Sequence, residues 1–310
     1  MSDSSANVAA VKIAVVLSTY NGDTYLAEQL DSIRDQVLPD NVSLKIFARD
    51  DGSNDATVDI LRRYASVIDM SVLEGVNLGV VPSFFEALSM VDSSYDYIAL
   101  CDQDDRWHVD KLSRALEKLA FTDSETPALY CSEYIFSDRD LRPIEKSRLN
   151  KIGVSLDRLL YENVISGNTI VFNGTLLNTI LSAGKSGVYC HDWWIALLAA
   201  ALGTICFDSD FYSLDYRRTG ENASATGVSA LGVLSNRVKR FVFGGELKKV
   251  TLQLEKLHNI LVSSEFKDSQ ALVNSFLSGS RLKKAFYPHR LRQSLLGELA
   301  LRILFLGGFL

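Results

Sequence analysis

The chain has 310 residues, 47% hydrophobic and 23% charged, the balance of a soluble protein long enough to bury a substantial core. Its net charge of -6 argues against nucleic acid held along the whole surface, and no run of about 18 uninterrupted apolar residues is present to span a bilayer. The average conceals an asymmetry: Gly232 to Leu310 holds 13 Lys/Arg against 5 Asp/Glu, the rest 19 against 33, so an acidic body ends in a basic tail suited to its own electrostatic partner.

Val11 to Leu17 is an apolar run broken by Lys12, the pattern of a central parallel strand. Asn21-Gly22 marks a turn, after which Tyr25, Leu26, Leu30 and Ile33 recur at helical spacing. Val42 to Ala48 reads as the second strand, closed by Asp50-Asp51-Gly52-Ser53, with a helix from near Asp55. Ser71 to Leu73 is a short third strand, followed by Asn77-Leu78-Gly79 and a helix from Val81 to Met90. Tyr95 to Cys101 is the fourth strand, and Lys111 to Ala120 another helix. Repeated strand–loop–helix units predict an α/β fold with a doubly wound, mostly parallel sheet. Ala128 to Phe136 reads as a further strand, Ile165 to Phe172 as a strand interrupted by Gly167, and Ile205 to Leu214 as short strands. Trp193 to Ala201 is a buried helix following His191-Asp192, and from Val228 the pattern turns helical, with segments over 247–261, 272–277 and 291–310.

Cys101, Cys131, Cys190 and Cys206 have no metal-ligand spacing and lie in or beside apolar sequence, which reads as buried free thiols in a reducing compartment. Met1 to Ala10 lacks the basic start and apolar core of a secretory leader. The expectation is a cytoplasmic chain, with peripheral attachment to the inner face of the plasma membrane open.

The run Asp102-Gln103-Asp104-Asp105-Arg106-Trp107 places three carboxylates in four residues directly after a buried strand. Adjacent carboxylates repel unless a cation or hydrogen-bond donors compensate them, and in an α/β sheet ligands sit at the carboxyl ends of strands. A divalent cation held between Asp102, Asp104 and a diphosphate would satisfy these charges. The first two strand–helix junctions, Ser18-Thr19-Tyr20-Asn21-Gly22 and Asp50-Asp51-Gly52-Ser53, offer groups that stack on a base and accept from a ribose hydroxyl. Neither has the glycine spacing of a dinucleotide fingerprint or a P-loop lysine, and a plain turn with a helix cap is the alternative for Asp-Gly-Ser.

Taken together, Val15-Val16-Leu17-Ser18-Thr19-Tyr20-Asn21-Gly22, Ala48-Arg49-Asp50-Asp51-Gly52-Ser53-Asn54-Asp55-Ala56-Thr57, Asn77-Leu78-Gly79 and Asp102-Gln103-Asp104-Asp105-Arg106-Trp107 resemble the family 2 glycosyltransferases of GT-A fold. The last motif is most similar to the bacterial rhamnosyltransferases of surface-polysaccharide synthesis. The resemblance implies a GT-A catalytic domain over 11–225, with a nucleotide-sugar-binding half (11–120) and an acceptor half (121–225), and a helical basic region over 226–310. It implies inverting transfer of a sugar from a dTDP- or UDP-linked donor to a glycan or lipid-linked glycan, with Mg²⁺ or Mn²⁺ as cofactor. L-rhamnose from dTDP-L-rhamnose is the first expectation, with a UDP-hexose or UDP-N-acetylhexosamine donor, or an inactive scaffold, as alternatives.

Residue by residue, the resemblance assigns Ser18, Thr19, Tyr20, Asn21, Asp50, Asp51, Asn77 and Gly79 to the donor nucleotide, and Asp102 and Asp104 to the metal. Asp192 of His191-Asp192-Trp193-Trp194 becomes the general base, although a helix N-cap above core tryptophans explains the same pattern. Gly167, Asn168, Trp193, Arg217, Arg218 and Asn222 are placed near the diphosphate or acceptor. Thr219 stands where relatives often carry a histidine; Arg217 and Arg218 would then neutralise phosphates, or be surface arginines. Asp105 is a weaker ligand that holds a neighbouring group, Trp107 packs beneath the acidic loop, and His108 and His258 read as surface residues. The basic, apolar 232–310 tail fits a peripheral membrane contact, or else packing on the catalytic core or between copies.

Overall fold

The computed structural model describes residues 9–218 and 245–310. Strands β1 (Val11–Thr19), β2 (Val42–Asp50), β3 (Met70–Glu74) and β4 (Tyr97–Cys101) run parallel in the spatial order β3-β2-β1-β4. Helices α1 (Leu26–Arg34), α2 (Thr57–Tyr64), α3 (Val80–Ser89) and α4 (Lys111–Leu119) connect and flank them. Ile13, Val15 and Leu17 face one side and pack with Leu30, Leu61 and Leu112 from α1, α2 and α4. Ala14 and Val16 face the other and pack with Phe84 and Leu88 from α3. Strand alternation thus feeds two cores, which is why β1 reads as continuously apolar.

The remaining strands are β5 (Arg106–Trp107), β6 (Ala128–Ser137), β7 (Pro143–Lys146), β8 (Val171–Asn173) and β9 (Thr204–Arg217), with helices α5 (Leu156–Leu159), α6 (Gly174–Ala183) and α7 (His191–Leu202). The short β8 runs antiparallel between β4 and β6, and β6 pairs in parallel with β9, giving a mixed sheet. Two segments differ from expectation. Over 165–172, a 3₁₀ turn at Gly167–Thr169 precedes β8. Ser166 Oγ donates to Asn168 Oδ1 at 2.8 Å and Thr169 Oγ1 to Ser166 O at 2.8 Å, so short polar side chains close a turn where a ladder was expected. Over 204–217 there is one 14-residue strand. Its polar Asp208 to Asp210 stretch, which resembles a break, coincides with register shifts opposite Ser132 and Glu133.

Helices α8 (Glu246–Val262), α9 (Lys267–Leu277), α10 (Arg281–Ala285) and α11 (Leu295–Gly307) follow. Val250, Leu254, Leu257 and Leu261 of α8, Phe276 of α9 and Phe305 of α11 join the same core as Trp194 and Leu198 of α7. The helical region therefore shares a core with the sheet's α3 side. Among the described residues no helix is long and apolar enough to cross a membrane.

Candidate active site

β1 lies between β2 and β4, so the strand order reverses at β1, and its carboxyl end is the place where an open α/β sheet forms a ligand crevice. Thr19 is in register with Asp50, and Leu17 with Cys101. This brings the loops beginning at Tyr20, Asp51 and Asp102 to one edge of the sheet.

The two aspartates at the carboxyl end of β2 brace the loops around them. Asp50 is buried and accepts from Thr19 Oγ1 at 3.0 Å, Ser53 N at 2.8 Å and Gly52 N at 3.1 Å. Asp51 is paired with Arg49 and accepts from Leu78 N and Gly79 N, each at 2.8 Å. Arg49 continues the brace to Val76 O at 2.9 Å and to Ser83 Oγ at 2.9 Å, which in turn meets Ser18 Oγ at 2.6 Å. Gly79 has φ of +86°, a conformation that favours glycine, as α3 begins. Asn21, at φ of +47°, accepts from Asn54 N at 2.8 Å and so ties the first loop to the second. Tyr20 and Asn77 are left exposed at the rim, and Ser18 is half-buried.

The acidic loop is fastened at two points, Gln103, which sequence reasoning missed, and Asp105, which was expected to hold a neighbouring group. Gln103 bonds both backbone groups of Tyr20, accepting from N at 2.8 Å and donating to O at 3.1 Å. A Cβ on Gly22 would lie 2.4 Å from Gln103 Oε1, so the Asn-Gly turn also makes room for this latch. Beneath the loop, Asp105 is fully buried and accepts from Asn168 Nδ2 and from Arg217 N at 3.2 Å. Burial and the neighbouring Asp104 and Asp102 push its carboxyl well above the usual range. Buried Lys111 donates to Asn168 O and sits 4.1 Å from the Trp107 ring centroid, and burial pulls its ammonium down to about 7 against the opposing pull of Cys101, Asp105 and Asp102. Lys111 had a signal: it shares the apolar face of α4 with Leu112, Ala115 and Leu119, where a lysine needs a buried partner.

Asp102 and Asp104 are half-buried. Burial first, then the charges of Asp104 and Asp192, raise the Asp102 carboxyl to about 7, and burial raises that of Asp104. Asn168, bonded to Asp105 of the loop after β4, is followed back by Gly167, which lies against Asp192, and this brings the acidic loop and the start of α7 to the same side of the sheet. Cys190 occupies the N-cap position of α7 and Asp192 its first turn. Asp192 Oδ1 accepts from the Cys190 thiol at 2.8 Å and from Trp193 N at 2.6 Å, while Oδ2 lies on the side of Gly167. His191 is stacked on Phe84 with centroids 4.0 Å apart, and burial lowers its pKa against the opposing charge of Asp192. Ligand atoms of Cys190, His191 and Asp192 lie within 4.8 Å of one another, although the thiol already serves Asp192.

A Cβ at Gly167 would come 3.1 Å from Asp192 Cβ and 3.5 Å from its Oδ2. Gly167 does not have a positive φ, so its replacement tests this contact rather than backbone strain. Gly167→Ala is expected to lower kcat by about ten- to a hundredfold with donor affinity nearly unchanged, measured by steady-state transfer beside donor titration.

Several expected positions have other occupations. Trp193 is buried and donates its indole N–H to Leu159 O at 2.6 Å, making it core rather than acceptor surface. Arg217 is buried in the acidic loop, donating to Asp104 O at 2.9 Å, to Arg139 O and to Glu28 at 2.5 Å, with its guanidinium 4.3 Å from the Tyr25 centroid. It organises the loop from within. Arg218 pairs with Glu145 at 2.7 Å and stacks on Phe136. Asn168 is buried as the bridge between Asp105 and Ser166. His108, expected at the surface, is half-buried, bonds Tyr212 O at 2.7 Å and approaches Asp215 at 3.4 Å, and the Asp215 contact raises its pKa. All four cysteines are free, with Cys101 and Cys131 buried but Cys190 and Cys206 half-buried. Thr219 and Asn222 lie outside the described residues.

The model of the family described as "Glycosyl transferase family 2" matches residues 14–171, just over half of the chain. The chain belongs to this family. Family 2 membership makes it a glycosyltransferase, an enzyme that passes sugar from a nucleotide-sugar donor to a glycan acceptor. It is 25% identical over 303 residues to dTDP-rhamnosyl transferase RfbG of Shigella flexneri, a match covering 90% of this chain and 95% of that protein. Among solved structures, residues 1–349 of S. aureus TarS in complex with UDP-GlcNAc superpose with a TM-score of 0.60 at 20% identity, covering 96% of this chain and 80% of that one. The mannosyltransferase PcManGT from Pyrobaculum calidifontis, in complex with GDP-Man and Mn²⁺, gives a TM-score of 0.54 at 14% identity over 97% and 75% of the two chains. At these identities the structural likeness establishes the GT-A fold of this glycosyltransferase alone.

Proposed function

We propose that this glycosyltransferase moves L-rhamnose from dTDP-L-rhamnose to a growing cell-surface or lipid-linked glycan, with inversion, at the cytoplasmic face of the membrane. The observation that carries the chemistry is the connection of the acidic loop at the strand ends to Asp192, through Asp105, Asn168 and Gly167, with the Asp102 carboxyl raised by burial and then by the charges of Asp104 and Asp192. The likeness to the Shigella rhamnosyl transferase over nearly both full lengths supports the choice of donor.

Asp102 and Asp104 suit Mg²⁺ or Mn²⁺, because they offer hard oxygen ligands in a place with surplus negative charge. When bound there, the ion would offset the charge gathering on the departing nucleoside diphosphate. Tyr20 offers the base a ring to stack on, and the Asp51-braced loop at 77–79 closes the nucleotide side. Asp192 receives the acceptor hydroxyl proton on Oδ2 as the acceptor oxygen bonds the anomeric carbon and the bond from that carbon to the phosphate oxygen breaks. Cys190 and the Trp193 amide hold Oδ1 and thereby aim Oδ2 toward Gly167. The buried Asp105–Asn168–Lys111 group connects the acidic loop to the segment carrying Gly167, so that carboxylates and base keep their separation.

The test is binding and slow hydrolysis across dTDP- and UDP-linked sugars, each with Mn²⁺ or Mg²⁺ and with EDTA. Cation-dependent preference for dTDP-L-rhamnose is the expected result. Preference for a UDP-hexose or UDP-N-acetylhexosamine would overturn the donor and keep the transferase. Failure to bind or hydrolyse any member would favour a scaffold.

A further inference from the structure

Helix α11 has an apolar side facing away from the core. Leu295, Leu296, Leu299, Ile303 and Leu306 are 72%, 55%, 58%, 59% and 47% exposed, whereas Leu301 and Phe305 are buried. At helical spacing the five exposed residues share an arc of about 100°, opposite the side that anchors the helix. Leu282 of α10 and Phe286 at its C-terminal cap, 63% and 74% exposed, and Phe309, 62% exposed, add to this surface. The Arg281 guanidinium packs against Gly308, joining the start of α10 to the end of α11. Scattered exposed leucines are ordinary, but a continuous file along a helix is not.

Within residues 281–310 the exposed charges have one sign. Residues 281–310 contain six Lys/Arg and one acidic side chain, Glu298. Glu298 is buried, accepting from Leu291 N and Arg292 N at 2.9 Å each and from Arg302 at 2.7 Å. Arg281 and Lys283 are exposed next to the apolar residues, with no exposed acidic side chain in this stretch. A second copy docking here would oppose like charges, whereas an anionic lipid surface complements both the cations and the leucines. With 13 residues, α11 is too short to span a bilayer and suited to lie in its interface.

We infer that the exposed face of α10 and α11 docks this glycosyltransferase on an anionic phospholipid bilayer, with Leu299, Ile303 and Leu306 entering the acyl boundary and Arg281 and Lys283 at headgroup phosphates. The inference stands apart from the identity of the donor.

The full chain is tested by flotation with vesicles of phosphatidylcholine alone and of phosphatidylcholine with phosphatidylglycerol, and by sedimentation without lipid. Binding is expected to the mixed vesicles and to weaken in molar salt. The double variant Leu299→Glu, Ile303→Glu should lower partitioning at least about tenfold with an unchanged thermal midpoint, because both residues are exposed. Arg281→Glu with Lys283→Glu should remove the preference for phosphatidylglycerol. Absence of wild-type binding, or binding by both double variants as strong as that of the wild type, overturns the inference. So does a wild-type dimer that Leu299→Glu, Ile303→Glu dissociates without changing vesicle binding, which would assign the face to a second copy.

Discussion

Asp192→Asn is expected to lower kcat by about 10²–10⁴-fold while changing the donor dissociation constant less than about threefold. The asparagine retains an oxygen that can accept from the Cys190 thiol and the Trp193 amide, so the first turn of α7 keeps its shape. It loses the second oxygen, which on this reading takes the acceptor proton. Donor titration beside single-turnover transfer separates the two effects. Transfer at the wild-type rate would show that Asp192 is not the base. A parallel collapse of donor binding would make it part of the donor site instead.

Asp102→Ala and Asp104→Ala are expected to act earlier, at donor binding. Each removes a hard oxygen ligand, and the cation-dependent part of donor affinity should fall at least about a hundredfold. Asp105→Ala should behave differently, because Asp105 holds Asn168 and the Arg217 backbone rather than facing the crevice. Its removal should lower stability by about 2–3 kcal/mol, measured by urea unfolding, since buried donors lose their acceptor. Proton and cation also compete at Asp102. With that carboxyl raised to about 7, cation binding should tighten as pH rises through this value and release a proton on binding. Calorimetry in buffers of different ionisation enthalpy reads both. A cation affinity independent of pH would remove Asp102 from the ligand set.

The parts of this enzyme legible in its sequence are those with local causes. β1 to β4 read as apolar runs because both sheet faces are covered, and the polar residues that end them stand out by contrast. The buried support was less legible. Asn168 meets Asp105 across 63 residues and Arg217 meets Asp105 across 112, contacts that leave no periodic trace. Trp193 reads as a residue near the diphosphate or acceptor or as core, and its burial against Leu159 decides for core. Arg217 and Arg218 carry charge of the sign a diphosphate needs, yet their protein partners are carbonyls and carboxylates set by the fold. The length of β9 was hidden because register shifts let one strand carry polar residues that otherwise signal its end.

The most direct test of the central claim is calorimetric titration of dTDP into the full wild-type chain with saturating Mn²⁺ and again in EDTA. It probes the strand-end site without requiring the acceptor. Binding at least about tenfold tighter with the cation, and lost from Asp102→Ala, is the predicted result. Binding equally tight in EDTA and in Asp102→Ala, or no binding under either condition, would contradict a cation-assisted nucleotide site at the ends of β1, β2 and β4.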